Sequence, residues 1–178
     1  MGILAEADLV RAWEAGQLPV RVGGSLLDAW TVDRVMTRVV TACPPEATVA
    51  SAWETMASLD WQQAGLTVEF RPPVDEDLVG ITGCFCAIAE TGTLMLLSGA
   101  QTYASAALLP ETHIAVIPLS RVVRSMEDAF ALAKQERGEL PRATNFISGP
   151  SRTGDIEQTI VLGAHGPYRV HVILVRGA

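Results

Sequence analysis

Basic residues are scarce in this chain of 178 residues, and lysine occurs only once, as Lys134. There are 13 basic residues against 20 acidic ones, so the formal net charge is −7. This balance lacks the basic surface that is typical of proteins that bind nucleic acids or anionic membranes. Residues 1–89 contain twelve acidic and five basic residues, whereas residues 90–178 contain eight of each. We therefore expect a small anion to approach the second half of the chain.

Long apolar runs and a secretory signal are also lacking. The first ten residues, MGILAEADLV, contain two acids and no basic segment, unlike a secretory signal. Apolar stretches are interrupted before they reach the roughly 18 residues that a membrane-spanning helix needs. The expected location is the cytoplasm, with no membrane span.

Cysteine is limited to Cys43, Cys84 and Cys86. A structural zinc site uses four ligands, and an iron–sulfur cluster normally uses four cysteines, so we expect neither in this chain. Free cysteines are commonly buried and inert. In a strand, however, Cys84 and Cys86 would share a face, which leaves a metal site completed by a histidine as an alternative.

The rest of the composition is that of a globular protein. Hydrophobic residues make up 49% of the chain and charged residues 19%. A single domain is expected at this length, and it would bury roughly 70% of the unfolded surface. The predicted organisation is one domain over 1–178, with a helical part at 1–79 and an α/β core at 80–178.

Hydrophobic spacing predicts the individual elements. Helices are predicted over 5–15, 26–42 and 47–63, and a further helix is expected to begin after the capping residue Ser125 and to end at Gly138. Short apolar runs predict strands over 66–70, 78–82, 87–90, 93–98, 113–119, 145–147 and 170–175, and 156–162 leads into a tight glycine turn. The strand at 93–98 is apolar on both faces and should be central in its sheet. Because strands alternate with helices, the predicted class is α/β.

A first candidate site lies at the turn that joins 87–90 to 93–98. The turn contains Glu90, Thr91, Gly92 and Thr93, and glycine at such a position is typical of a tight β-hairpin. Glu90 is either an exposed residue at the tip of the hairpin or a carboxylate at the mouth of a cleft, where it would act as nucleophile or general base.

A second candidate site is the polar segment SGPSRTGD at 148–155, with Glu157 shortly after it. Glycines allow backbone N–H groups to approach a ligand, and an arginine suits a carboxylate or phosphate. A helix that starts at Asp155 would add a favourable dipole; otherwise the segment is a polar loop before a capped helix. The candidate binding residues are Ser148, Gly149, Ser151, Arg152, Thr153, Asp155 and Glu157.

The histidines differ in their surroundings. His113 opens a predicted strand, and His171 alternates with valines and should be half-buried. His165 lies in the glycine turn GAHGP, which makes it the best acid–base candidate of the three, although a single histidine is more often structural.

Three segments carry a resemblance to a known family. They are GITGCFCAIAETGTLMLLSG (80–99), LLPETHIAVIPLSRVV (108–123) and FISGPSRTGDIEQTIVLGAHGPYRVHVILV (146–175). Together they closely resemble the LUD-domain family, in particular lactate-utilisation proteins of the LutC/YkgG type. The family usually has Ala-Asp at the positions of Cys84 and Phe85, so the role of that acid does not carry over.

The resemblance implies both a fold and a function. It implies an α/β fold like that of the NagB/RpiA/CoA-transferase group, with a mostly parallel sheet flanked by helices. It also implies a non-redox component of a system that oxidises L-lactate to pyruvate. In such a system this chain would bind a small carboxylate or phosphorylated ligand, or its iron–sulfur partner subunits, which carry the clusters.

The same fold group suggests a second function. Some proteins of this fold group form an acyl intermediate with coenzyme A on a glutamate beside a glycine turn, and Glu90-Thr91-Gly92 is similar by analogy. The alternative is therefore a stand-alone enzyme of the CoA-transferase or sugar-phosphate isomerase type that uses Glu90. The metal site at Cys84 and Cys86 is a third hypothesis.

Overall fold

A computed structural model describes residues 26–30, 48–51, 61–62, 67–100, 102–156 and 159–175. Its one described α-helix, α1, spans Met126–Arg137. The strands are β1 (Leu26–Trp30), β2 (Thr48–Ser51), β3 (Thr67–Glu69), β4 (Val79–Gly83), β5 (Cys86–Ile88), β6 (Thr93–Leu97), β7 (Thr112–Pro118), β8 (Val122–Val123), β9 (Thr144–Ile147), β10 (Arg152–Ile156), β11 (Thr159–Leu162) and β12 (Arg169–Val175). Short 3-10 turns lie at Ala104–Ala107 and Leu119–Arg121.

Six strands form a parallel sheet in the order β1-β12-β7-β4-β2-β3. Strand β7 lies near the middle, and all its residues but Pro118 are buried. Burial of both faces is expected where a parallel sheet is covered on both sides. The α/β class and the mostly parallel central sheet are thus confirmed.

Four strands form a second, mixed sheet in the order β8-β5-β6-β9. Strand β6 pairs antiparallel with both β5 and β9, which confirms its predicted central position. Because successive side chains of a strand point to opposite faces, Leu94 and Leu96 lie in the core against the parallel sheet. Met95 lies in a separate core against Ala129 and Ala133 of α1. The mixed sheet is therefore the middle layer between the parallel sheet and α1.

The start and the end of α1 follow the sequence signals. The Ser125 side chain accepts a hydrogen bond from the Asp128 backbone N–H at 3.3 Å, as an N-cap does. Glu127 and Asp128 lie in the first turn and Lys134 and Arg137 in the last, so the charges complement the helix dipole. The helix ends at Gly138, as predicted.

The two predicted helices over 26–42 and 47–63 are wrong where the structure describes them. Leu26–Trp30 and Thr48–Ser51 form strands β1 and β2 of the parallel sheet. A short apolar run does not distinguish a buried strand from a helix by spacing alone, and parallel pairing with β12 and β4 decides the conformation here. The predicted helix over 5–15 lies outside the described residues.

The 3-10 turn at Ala104–Ala107 packs directly onto the parallel sheet. A Cβ atom at Gly80 of β4 would lie 1.9 Å from the Ala106 carbonyl oxygen. Only glycine therefore allows this approach of the two backbones. In the described part of the chain, no helix has both the length and the apolar character to cross a membrane.

Candidate functional site

The glycine turn and the polar segment are brought together by three hydroxyl groups. Thr93 Oγ1 lies 2.8 Å from Thr91 Oγ1 and 2.7 Å from Ser148 Oγ. Thr93 is only 2% exposed. The buried hydroxyl of Thr93 therefore links the two candidate sites of the sequence through hydrogen bonds.

Strand pairing explains this contact. Strands β6 and β9 pair antiparallel with Leu94 opposite Ile147, so the residues just outside that pair, Thr93 and Ser148, meet at one end of the mixed sheet. The hairpin is confirmed, but its turn is longer than two residues because Ile88 pairs with Thr93. Gly92 has a φ of 62°, which glycine adopts without steric cost.

Ser151 joins the polar segment to the turn at 163–167. Its Oγ accepts a hydrogen bond from the His165 N–H at 3.1 Å. Its backbone N–H donates to the Pro167 carbonyl, and its carbonyl accepts from the Gly163 N–H. Ser151 is thus fixed on the turn that contains the candidate histidine. We call this arrangement the motif cluster: the hydroxyls of Thr91, Thr93 and Ser148, together with Ser151 and the 163–167 turn.

The prediction that a helix starts at Asp155 is wrong. Arg152–Ile156 forms β10, which pairs antiparallel with β11 in a hairpin of its own. A helix dipole therefore contributes nothing to anion binding here. Arg152 is exposed on this hairpin, and Thr153 is buried at 8% exposure. Gly149, with a φ of 123°, precedes the hairpin, and Glu157 lies outside the described residues.

The two acid–base candidates are both exposed. Glu90 lies in the turn after β5, where its backbone N–H donates to the Arg124 carbonyl. His165 lies in the 163–167 turn, held through its backbone by Ser151. Their catalytic roles stay predictions. His171 is half-buried on β12, as the sequence predicts.

A cavity of about 600 Å³ lies elsewhere, and sequence reasoning missed it. It opens where β4 ends at Thr82 and Gly83, and it continues along Leu96 and Leu97 of β6 and Asn145 of β9. Of the residues in the sequence-based site hypotheses, only Cys84 of the alternative metal site lines it; the catalytic and ligand-binding candidates do not. The carboxyl ends of parallel strands are a common place for ligands, so the end of β4 is the signal that could have found it.

A buried histidine lies behind this cavity. His113 is fully buried, and its Nε2 lies 2.7 Å from the hydroxyl of Thr82, which lines the cavity. Burial lowers the pKa of His113 to about 4, so the ring is neutral at pH 7. His113 therefore holds the Thr82 side chain without adding a charge.

The two neighbouring cysteines do not share a strand face. Strand β5 begins at Cys86, so Cys84 precedes it. Cys84 packs on the core between the sheets, whereas Cys86 lies in the core against α1 and donates to the Met95 sulfur at 3.8 Å. Burial raises the pKa of both thiols, that of Cys86 to about 11. Among the described residues, no group of three or more potential metal-ligating side chains is present.

Comparison with known proteins identifies the family. The sequence model of the LUD-domain family matches residues 46–175 of this chain. The chain belongs to the LUD-domain family. The match begins well before residue 80, so it includes β2 and β3 as well as the segments that carry the resemblance in sequence.

Relatives of this LUD domain have names that agree with this result. Lactate utilization protein C of Bacillus licheniformis is 38% identical over 100 residues, which are 54% of this chain and 42% of the relative. The protein of the same name from Shouchella clausii is 44% identical over 99 residues, 54% of this chain and 43% of the relative. That of an Exiguobacterium species is 38% identical over 130 residues, 70% of this chain and 56% of the relative. The chain spans about half the length of these relatives.

A solved structure supports the fold. A DUF162 family protein from Deinococcus radiodurans matches with a TM-score of 0.67 and 20% sequence identity, over 97% of this chain and 99% of that protein. At this identity, the likeness shows the fold alone.

Proposed function

We propose that the chain is a component of a cytoplasmic system that oxidises L-lactate to pyruvate, and that it has no redox centre of its own. The main support is the meeting of three sequence motifs at one surface, through the Thr93–Ser148 contact and the contacts of Ser151 with the 163–167 turn. Relatives at 38% and 44% identity are named lactate utilization protein C.

In this proposal, the motif cluster binds a small carboxylate. Hydroxyl groups and glycine-rich backbone provide donors for an oxyanion, and the planar guanidinium of Arg152 suits a carboxylate. His165 is the acid–base candidate in the adjoining turn. The partners are iron–sulfur subunits, which carry the electrons that the oxidation releases.

Growth tests the role in lactate oxidation. Deletion of the gene is expected to abolish growth on L-lactate as the sole carbon source and to leave growth on glucose unchanged. The intact gene returned on a plasmid restores growth. Unchanged growth of the deletion strain on L-lactate would overturn the proposal.

Titration calorimetry with L-lactate tests the binding residues. Arg152→Gln is expected to weaken binding by about tenfold to a hundredfold, since a charge-assisted hydrogen bond contributes about 1.5–3 kcal/mol. Arg142→Gln, which removes another exposed arginine at the opposite end of β9 from Ser148, is the matched control and should bind as before. Equal affinities for the two variants would exclude Arg152 from the site.

The second function makes a different prediction. A stand-alone acyl-transferring enzyme would form a covalent adduct with Glu90, which a nucleophile would trap after incubation with an acyl thioester. Mass spectrometry that locates such an adduct at Glu90, and its loss in Glu90→Gln, would favour this function over the first.

A further inference from the structure

The 600 Å³ cavity is a second place where a ligand fits, separate from the motif cluster. Thr93 of the motif cluster and Leu97 of the cavity are four residues apart on β6, about 13 Å along the strand. The volume falls within the range of about 300–1,000 Å³ that is usual for sites of small organic molecules. Such a volume is several times larger than a three-carbon acid needs.

The hydroxyl of Thr82 is available as a donor in this cavity. His113 Nε2 lies 2.7 Å from Thr82 Oγ1, while Nδ1 of the same ring is buried and has no partner among the described residues. A neutral imidazole carries one N–H, and buried N–H groups without an acceptor are rare. The proton therefore lies on Nε2 and is donated to Thr82. The hydroxyl proton of Thr82 then needs another acceptor.

The amide of Asn145 is a second donor at the cavity wall. Its Nδ2 is buried without a hydrogen-bond partner in the described part of the chain. Asn145 is part of the cavity lining, and the two ends of a terminal amide have nearly the same shape, so its N–H groups can take either orientation. A ligand with an acceptor oxygen would give this group the partner that it lacks.

The charges of the residues around the cavity indicate which kind of ligand it favours. Arg137 and Glu139 lie exposed at its edge, and their opposite charges cancel. The Cys84 thiol is neutral because burial raises its pKa. Phe85 and Leu96 contribute apolar wall. The described lining therefore offers donors and apolar surface without net positive charge, which disfavours a phosphate or another dianion.

We infer that this cavity binds an uncharged organic carbonyl compound, with its oxygen at Thr82 and Asn145 and its apolar part along Phe85 and Leu96. The inference goes beyond the proposed function, since it concerns neither L-lactate nor the motif cluster.

Two-dimensional ¹H–¹⁵N NMR of the full chain tests the inference. The probes are 4-phenyl-2-butanone, 3-phenylpropylammonium and phenyl phosphate, which share a ring and differ in the polar group. The side-chain amide signals of Asn145 are identified by their absence in Asn145→Leu. The ketone is expected to shift these signals in a saturable way, and the ammonium and phosphate probes should not.

Variants add a second readout, followed at the backbone amide of Gly83. Thr82→Val and Asn145→Leu are each expected to weaken binding of the ketone at least fivefold. Gln135→Leu makes the same amide-to-leucine change on the exposed side of α1 and should leave the affinity unchanged. The inference fails if the ketone does not shift the Asn145 signals in the unaltered chain. It also fails if the charged probes bind equally well, or if the folded variants bind the ketone as tightly as before.

Discussion

The hydroxyl groups of Thr93 and Ser148 lie 2.7 Å apart, although 55 residues separate them in the chain. Antiparallel pairing of β6 with β9 brings them together at one end of the mixed sheet. Two sequence motifs that look independent are thus parts of one surface. Any shift in the register of β9 would separate them.

Loss of the buried hydroxyl at Thr93 should destabilise the fold. Thr93→Val keeps the shape but leaves the hydroxyls of Thr91 and Ser148 without their shared partner. We expect the free energy of unfolding to fall by about 1–2 kcal/mol, measured by urea denaturation. Thr91→Val removes the exposed hydroxyl that contacts Thr93. This change should lower the free energy of unfolding by less than about 0.5 kcal/mol. Equal effects of the two changes would contradict the central role of Thr93.

Replacement of Gly80 by alanine should force the 3-10 turn away from the sheet. The added Cβ would lie 1.9 Å from the Ala106 carbonyl oxygen and 3.0 Å from Pro110 Cγ. Such overpacking costs about 1–3 kcal/mol or more, and the melting temperature reports it. Gly154→Ala on β10 is the control, because its Cβ would meet no atom within 4 Å. A melting temperature for Gly80→Ala equal to that of the control would show that the turn moves freely.

The ion pair between Arg71 and Asp77 should make stability depend on acid pH. Arg71 donates to both carboxylate oxygens of Asp77, at 2.5 and 3.0 Å, and Asp77 is 5% exposed. The hydrogen bonds from Arg71 lower the pKa of Asp77 below its usual 3.8. The ionised carboxylate therefore adds stability above about pH 4, and this stability is lost as the pH falls through the lowered pKa.

Asp77→Asn is accordingly expected to lower the free energy of unfolding by about 1.5–3 kcal/mol at pH 7. The difference from the unaltered chain should shrink in urea titrations below pH 4. Glu76→Gln, the exposed neighbour, serves as the control with little effect at any pH. A constant difference down to pH 2 would show that packing, and not charge, explains the effect.

His113 should make the free energy of unfolding depend on pH in a second range, which lies above that of Asp77. Its pKa is about 4 in the folded protein because of burial, against about 6.5 in the unfolded chain. Between these values the unfolded chain binds more protons, so the free energy of unfolding falls as the pH is lowered from about 6.5 to 4. The full effect is on the order of 3 kcal/mol.

His113→Gln keeps a donor near Thr82 and does not titrate. Its stability, measured by denaturant titration from pH 7 to pH 4.5, should depend less on pH than that of the unaltered chain. His165→Gln replaces an exposed histidine and should keep the original pH dependence. If His113→Gln also kept the original pH dependence, a group other than His113 would be responsible for the change in stability.

The parts of the fold that the sequence predicts are those with strong local signals. Strands β7 and β12 are short runs of branched apolar residues, and α1 has a serine cap, a charged first turn and a terminal glycine. Strands β1 and β2 were missed because their apolar spacing also fits a helix, and only pairing with distant strands decides between the two. Strand β10 was missed because glycine, serine and threonine in its segment are also typical of a loop.

The candidate site, too, has parts that the sequence predicts and parts that it does not. Motif composition predicts Thr93, Ser148 and Ser151, and strand pairing brings the first two into contact. For the cavity, the carboxyl end of β4 is a general signal only, because Thr82 and Asn145 come from different sheets and neither lies in a local pattern that is typical of a binding site. Its polar groups become informative only when their hydrogen-bond partners are known.

The close contact of Gly80 with Ala106 also concerns the cavity. Thr82 follows Gly80 by two residues on β4. Tyr103 and Ala104, which also line the cavity, lie at the start of the 3-10 turn that contains Ala106. Two lining segments are therefore held at a fixed separation by a backbone contact that no side-chain rotation can relax. Such a cavity is preorganised: a ligand enters a space that already has its bound shape, and little conformational entropy is lost on binding.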